Sequence, residues 1–189
     1  MVSYLANRVM TTKGQKACMV IDHLVEALAG DPSSPLRRAI ILIDIDQHSG
    51  STQTGVMERL SIHKSALNRE IEWLFNYGCI VMRNSEHDGR AKSLEVCGYS
   101  KTGLKTALRY FENDHEKLKA FLEDVAHVLK QEKPTLRDAK IVTALFEMRS
   151  APRQKVVDSL YNAPITSNHR AINKLIEEGI VKTDESRSE

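Results

Sequence analysis

Apolar side chains recur every three or four residues along the first part of the chain, which is the spacing of amphipathic helices. Ile21, Leu24 and Leu28 form one such stripe. Ser61 offers a hydroxyl N-cap for a later helix, and Gly78 is a typical helix stop. The stripes and the breaks between them predict four helices, over residues 15–29, 35–48, 52–60 and 62–77.

The spacing changes to alternation after the fourth helix. Ile80 and Met82 alternate with polar or outward-facing positions, and Leu94 and Val96 begin a second run of the same kind. Between the two runs, Asp88-Gly89 is a hairpin-turn signal. The pattern therefore predicts a small two-stranded hairpin.

Residues 101–131 are the longest periodic segment, with a heptad-like seam that includes one histidine. At about 1.5 Å per residue, a single helix over this segment would be roughly 45 Å long. Such a seam needs a partner, either the same helix in a second chain or the helix over 15–29. The seam positions are Leu104, Leu108, Phe111, His115, Leu118, Leu122, Val125 and Leu129.

The last part of the chain repeats the order of the earlier elements. Helices are predicted over 135–149 and 152–160, a third ends at Glu178, and Ile180 and Val181 resemble the first strand of another wing. At an offset of about 100 residues, several apolar and basic positions of the two parts coincide.

We therefore predict a mainly α fold with a small β wing, that is, two winged helix-turn-helix modules in tandem. The first, over 1–133, includes a long dimerisation helix. The second, over 134–189, is a helix-turn-helix or winged-helix-like module whose own wing is missing or rudimentary.

Composition and charge limit the classes of function that we expect for this chain. Lys and Arg number 27 against 25 Asp and Glu, so the formal net charge is only +2 and any nucleic-acid site must arise from local charge arrangement. We expect no secretory signal and no membrane span. The three cysteines are widely spaced and form no Cys-x-x-Cys motif. No metal, cofactor or enzymatic activity is expected.

A helix-turn-helix reads DNA through short polar or basic side chains on the outward face of its second helix. Arg and Asn are common partners of guanine and adenine edges. In the first module the candidate DNA contacts are His63, Lys64, Ser65, Asn68 and Arg69 on the helix, and Arg83, Arg90 and Lys92 on the hairpin. In the second module they are Arg153, Arg170 and Lys174.

The run ALNREIEWLFNYGCIVMRNSEHDGRAKSLEV, followed by YSKTGLK, resembles the MarR family of bacterial winged-helix regulators over about residues 15–130. The family's D-x-R wing element is present as Asp88-Gly89-Arg90. The resemblance implies that Asp88 stabilises the wing and that Arg90 reaches the minor groove. Extra residues around Cys97 and Gly98 lengthen the return strand, and the second module departs from the family pattern.

MarR proteins dimerise through their first and last helices, so the resemblance also implies a homodimer. The expected interface residues are Ile21, Leu24, Leu28, Leu108, Phe111, Leu118, Leu122, Val125 and Leu129. A symmetric dimer would favour a pseudo-palindromic operator.

The function expected from these features is sequence-specific binding of double-stranded DNA by a cytoplasmic, nucleoid-associated transcription regulator in a bacterium. A small-molecule effector is a further candidate partner. One alternative is a tandem winged-helix protein of plasmid or chromosome maintenance, acting in replication initiation or segregation. Another alternative is a protein-interaction adaptor.

Overall fold

The computed structural model describes residues 13–84, 92–148, 151–160 and 164–183. These residues are mainly helical, with one two-stranded antiparallel sheet, an arrangement compatible with a winged helix. The helices are α1 (Lys13–Ala27), α2 (Leu36–Gln47), α3 (Gln53–Leu60), α4 (Lys64–Asn76), α5 (Gly98–Arg109), α6 (His115–Leu129), α7 (Leu136–Met148), α8 (Arg153–Asp158) and α9 (Ile165–Glu177). The strands are β1 (Ile80–Asn84) and β2 (Lys92–Val96).

The two strands of the predicted hairpin pair antiparallel, and their register follows the alternation in the sequence. The predicted Asp88-Gly89 turn lies outside the described residues. Ile80 pairs with Val96, and Met82 pairs with Leu94. Three of these four side chains are buried and Met82 is partly buried, so one face of the hairpin packs on the core. An isolated bridge between Thr52 and Ser93 joins the hairpin to the start of α3.

The two helices of the first helix-turn-helix begin at side-chain caps. Thr52 accepts a hydrogen bond from the backbone N–H of Gly55 at 3.3 Å, at the start of α3. Helix α4 is capped by His63, not by Ser61 as predicted. Ser61 has φ 50 and ends α3, because its left-handed backbone turns the chain before α4 can begin.

Residues 101–131 do not form one helix, contrary to the prediction. The chain turns between α5 and α6, where Glu112 and Asn113 have φ values of 59 and 63. The Asp114 carboxylate then caps α6 by accepting from two backbone N–H groups at 2.9 and 3.1 Å. Because of this turn, α5 packs on α1 whereas α6 packs on α2. The apolar seam that is continuous in the sequence is therefore divided between two helices, which pack on different partners.

The residues predicted to form a homodimer interface lie inside the single chain. Eight of the nine are buried and Phe111 is partly buried, because α1 packs on α5 and α7, and α6 packs on α2, α5 and α7. These side chains are covered within one chain, and their role in a homodimer interface stays a prediction. The buried eight are Ile21, Leu24, Leu28, Leu108, Leu118, Leu122, Val125 and Leu129.

The order of helices repeats along the chain. Helices α1 to α4 start at residues 13, 36, 53 and 64, and α6 to α9 start at 115, 136, 153 and 165, an offset of 100 to 102 residues. The repeat does not extend to the hairpin in the described residues, which contain no strand between α9 and Thr183. Ile180 and Val181, predicted as a strand, instead donate their backbone N–H groups to the Leu175 carbonyl at 2.9 and 3.1 Å.

The two halves of the chain exchange their first helices. Helix α1 packs on α7 of the second half, and α6 packs on α2 of the first half. Between the two halves, Pro35 and Thr135 form an antiparallel bridge. The Leu36 N–H donates to the Pro134 carbonyl at 2.9 Å, and the Leu136 N–H donates to the Ser34 carbonyl at 2.9 Å. Equivalent residues thus make equivalent bonds, which is the pattern of an approximate two-fold axis at the bridge.

Candidate nucleic-acid interface

Helix α4 has one apolar and one polar face. Leu67, Ile71 and Leu74 are buried against the core, following the helical period. The predicted contact residues Lys64, Ser65, Asn68 and Arg69 are all exposed. The structure therefore brings the helix part of the predicted DNA site together on one surface.

His63 and Ser65 also have a local role at the start of α4. The His63 Nδ1 lies 2.9 Å from the Ser65 hydroxyl oxygen and 3.4 Å from the Ser65 backbone nitrogen, which donates to it. These contacts satisfy a backbone N–H group that the first helical turn leaves unpaired. The two side chains thus hold the helix end that carries Lys64.

The acidic residue nearest the centre of α4 is neutralised by two arginines of α2. Glu70 is 5% exposed, and its carboxylate accepts from Arg37 and Arg38, each at 2.8 Å. The Arg38 guanidinium also lies 3.8 Å from the centre of the Trp73 ring. Neutralisation of Glu70 removes a negative charge that would oppose phosphate beside the exposed Arg69. Glu72 remains an exposed acid on this helix.

The hairpin contributes two basic residues that the structure describes. Arg83 is exposed and its Nε lies 3.5 Å from the Glu95 carboxylate on the neighbouring strand. Lys92 is exposed at the start of β2. Asp88 and Arg90, the predicted wing-stabilising and minor-groove residues, lie outside the described residues.

In the second half, the three predicted contacts divide into two groups. Arg153 donates to the His169 carbonyl at 3.1 Å and to its ring Nδ1 at 3.2 Å, and it also contacts the Asn173 side-chain oxygen. Its guanidinium therefore joins α8 to α9, and its contact with DNA stays a prediction. Arg170 and Lys174 are exposed on α9, as a contact role requires.

The sequence pattern does not identify the residues of α2 and α3 whose ion pairs pack behind the candidate interface. Arg37 and Arg38 were not candidates, because their partner Glu70 is more than 30 positions away in the sequence. Arg59 is a further basic residue of the first helix-turn-helix, and it donates to the Asp44 carboxylate at 2.7 Å. An acid at an apolar position of α2 is the one signal that could have indicated this pair, since a buried carboxylate needs a partner.

A cavity of about 250 Å³ lies where α1 meets the second half. Its lining includes the Asp22–Lys140 ion pair, His23 and Arg137. Asn168, 1% exposed, donates from its side chain to the Leu160 carbonyl at 2.9 Å, while its side-chain oxygen accepts no hydrogen bond. This cavity is one place in the described structure where a small-molecule effector has room, and its binding there stays a prediction.

Burial outweighs the nearby basic groups, Lys140 beside Cys18 and Arg38 beside Cys79. Burial raises the pKa of the Cys79 and Cys18 thiols above the ordinary value, which lowers the thiolate fraction at neutral pH. Among the described residues, no group of three His, Cys, Asp or Glu side chains is placed to hold a metal ion. The described helices include none that is both long and apolar enough to cross a membrane.

Comparison with models of known protein families, with curated proteins and with solved structures finds no match to this chain.

Proposed function

We propose that this protein is a sequence-specific, double-stranded DNA-binding regulator that reads DNA through α4. The observation that carries the proposal is the outward face of that helix. Lys64, Asn68 and Arg69 are exposed there, while Glu70 is buried against Arg37 and Arg38. The face thus combines base-reading side chains with a local excess of positive charge.

In the proposed complex, α4 lies in the major groove and α3 braces it from behind. Asn68 and Arg69 have the chemistry to read adenine and guanine edges, and Lys64 has the chemistry to contact phosphate. Arg83 and Lys92 project from the hairpin toward the flanking backbone. The protein acts by occupying its site, within the bacterial cytoplasm, and no catalytic step is involved.

The test is selection of duplexes from a random pool, followed by footprinting of the protein on the recovered sequence. We expect one recurrent motif and an affinity that falls steeply with salt, since each neutralised phosphate contributes a slope of about −0.9 in log affinity against log salt. No enriched motif, together with an affinity that is unchanged between low and moderate salt, would contradict the proposal.

A second candidate is a tandem helix-turn-helix protein of plasmid or chromosome maintenance. The observation that favours it is the repeated helix order, which gives one short chain two helix-turn-helix segments. The location of the selected motif separates the two candidates. A motif upstream of genes supports the regulator, whereas clustered repeats at an origin or a centromere-like site support the maintenance protein.

A further inference from the structure

Two surface grooves lie on either side of the Pro35–Thr135 bridge, and equivalent positions of the repeat line them. Arg37, Arg69 and Trp73 line the first groove. Arg137, Arg170 and Lys174 line the second, at offsets of 100, 101 and 101 residues. The approximate two-fold axis therefore relates the flanks of α4 and α9 as well as the backbone bridge.

Each groove is completed by the opposite half of the chain. Lys133 and Pro134, which precede α7, lie beside α4 in the first groove. Ser33, which precedes α2, lies beside α9 in the second groove. The two helices thus flank one shared joint, and neither groove belongs to a single half.

The two grooves have the same charge balance in the described residues. The first has four basic side chains against two acidic ones, and the second has three against one. Both carry an excess of two positive charges. In each groove one acid is turned inward: Glu70 toward the two arginines of α2, and Asp138 toward the Thr135 hydroxyl and N–H at 2.8 and 3.1 Å.

The exchange of α1 and α6 buries, inside one chain, the apolar residues that were expected to form a homodimer interface. The two-fold relation that a DNA-binding homodimer obtains from a second chain is present here within one chain. Sites bound by two-fold symmetric proteins mirror that symmetry. A chain with its own two-fold axis and two equivalent basic grooves fits the same kind of duplex site.

We propose that a single chain binds both halves of an inverted-repeat duplex, with α4 on one half-site and α9 on the other. The inference rests on the proposed function, because it assumes that α4 reads DNA. The half-sites differ in sequence, since Lys64, Asn68 and Glu72 of α4 correspond to Ile165, His169 and Asn173 of α9. The inverted repeat is therefore imperfect, and the protein binds it in one orientation.

The experiment uses the full chain and the duplex recovered by selection. Native mass spectrometry counts the chains on each duplex, and hydroxyl-radical footprinting maps both half-sites for the wild type, Arg69→Ala, Arg170→Ala and Arg109→Ala. The last is a matched control, because Arg109 is an exposed arginine on α5 outside both grooves. Thermal unfolding of each variant verifies that it is folded.

We expect one chain per duplex and protection of two half-sites. Arg69→Ala and Arg170→Ala should each raise the dissociation constant by roughly tenfold and each remove protection from a different half-site, as expected for the loss of a base-reading arginine. Arg109→Ala should match the wild type.

Two chains per duplex would overturn the inference, as would an Arg170→Ala variant with unchanged affinity and footprint. If Arg69→Ala still weakens binding in that case, the proposed function survives without the inference. If the wild type binds no duplex at all, both are overturned.

Discussion

Asp44 lies among the apolar residues of α2, where a buried carboxylate needs charged or hydrogen-bonding partners. It is 0% exposed. Its carboxylate contacts Arg59 at 2.7 Å, His48 at 3.4 Å and Lys119 at 3.9 Å. A buried carboxylate is costly unless its partners are retained, so this cluster fixes α2, α3 and α6 relative to one another.

We predict that Asp44→Asn lowers the free energy of unfolding by about 3 kcal/mol, the lower end of the range for breaking a buried ion pair, because Arg59 is partly solvated. Urea unfolding followed by circular dichroism measures the change. The control is Asp124→Asn, at an exposed position of α6. Equal unfolding midpoints for the two variants would show that the cluster does not stabilise the fold.

At this scale the sequence predicts exposure better than pairing. The helical period alone places Lys64, Asn68 and Arg69 outward, and the structure agrees. It cannot show that Arg59 or Arg153 is occupied by a partner, because those partners lie on other helices. The role of a basic residue depends on which acid or carbonyl the fold brings to it.

Helices α1 and α5 cross at Gly103. Among the described glycines, this is the one that lies closest to the backbone of another element. A β-carbon at this position would lie 2.8 Å from the Ala27 nitrogen and 2.9 Å from the His23 carbonyl oxygen. Both are backbone atoms, which cannot move aside as the end of a side chain can. The glycine therefore sets how closely the two helices pack.

We predict that Gly103→Ala destabilises the protein by about 1–3 kcal/mol, the usual cost of overpacking. Helix propensity alone would predict the opposite sign, a gain of up to about 1 kcal/mol. The melting temperature, compared with that of the exposed neighbour variant Thr102→Ala, decides between them. An unchanged or higher melting temperature for Gly103→Ala would refute the close packing of α1 and α5.

Most helices are predicted from the sequence to within two or three residues, because their apolar stripes and glycine stops are local signals. The segment over 101–131 fails because its stripe continues in phase through the turn. The residues Glu112, Asn113 and Asp114 mark that turn, since Asn and Asp are favoured in left-handed and capping positions. Periodicity outweighed this local signal in the prediction.

For the whole molecule, the sequence predicts the repeat but not how its copies meet. The offset of about 100 residues is visible in the pattern, whereas the exchange of α1 and α6 depends on contacts between distant segments. The same apolar stripes satisfy a homodimer or an internal pair equally well. The structure uses them internally, and a homodimer built on the same residues stays a prediction.

The proposal that α4 reads DNA is tested most directly at Arg69. The measurement is a fluorescence-anisotropy titration of the selected duplex with the wild type, Arg69→Ala and Arg109→Ala at one fixed salt concentration. Loss of a base-reading arginine should cost about 1–3 kcal/mol of binding free energy, while the α5 control should bind as the wild type does. Equal affinity of all three proteins would contradict the account.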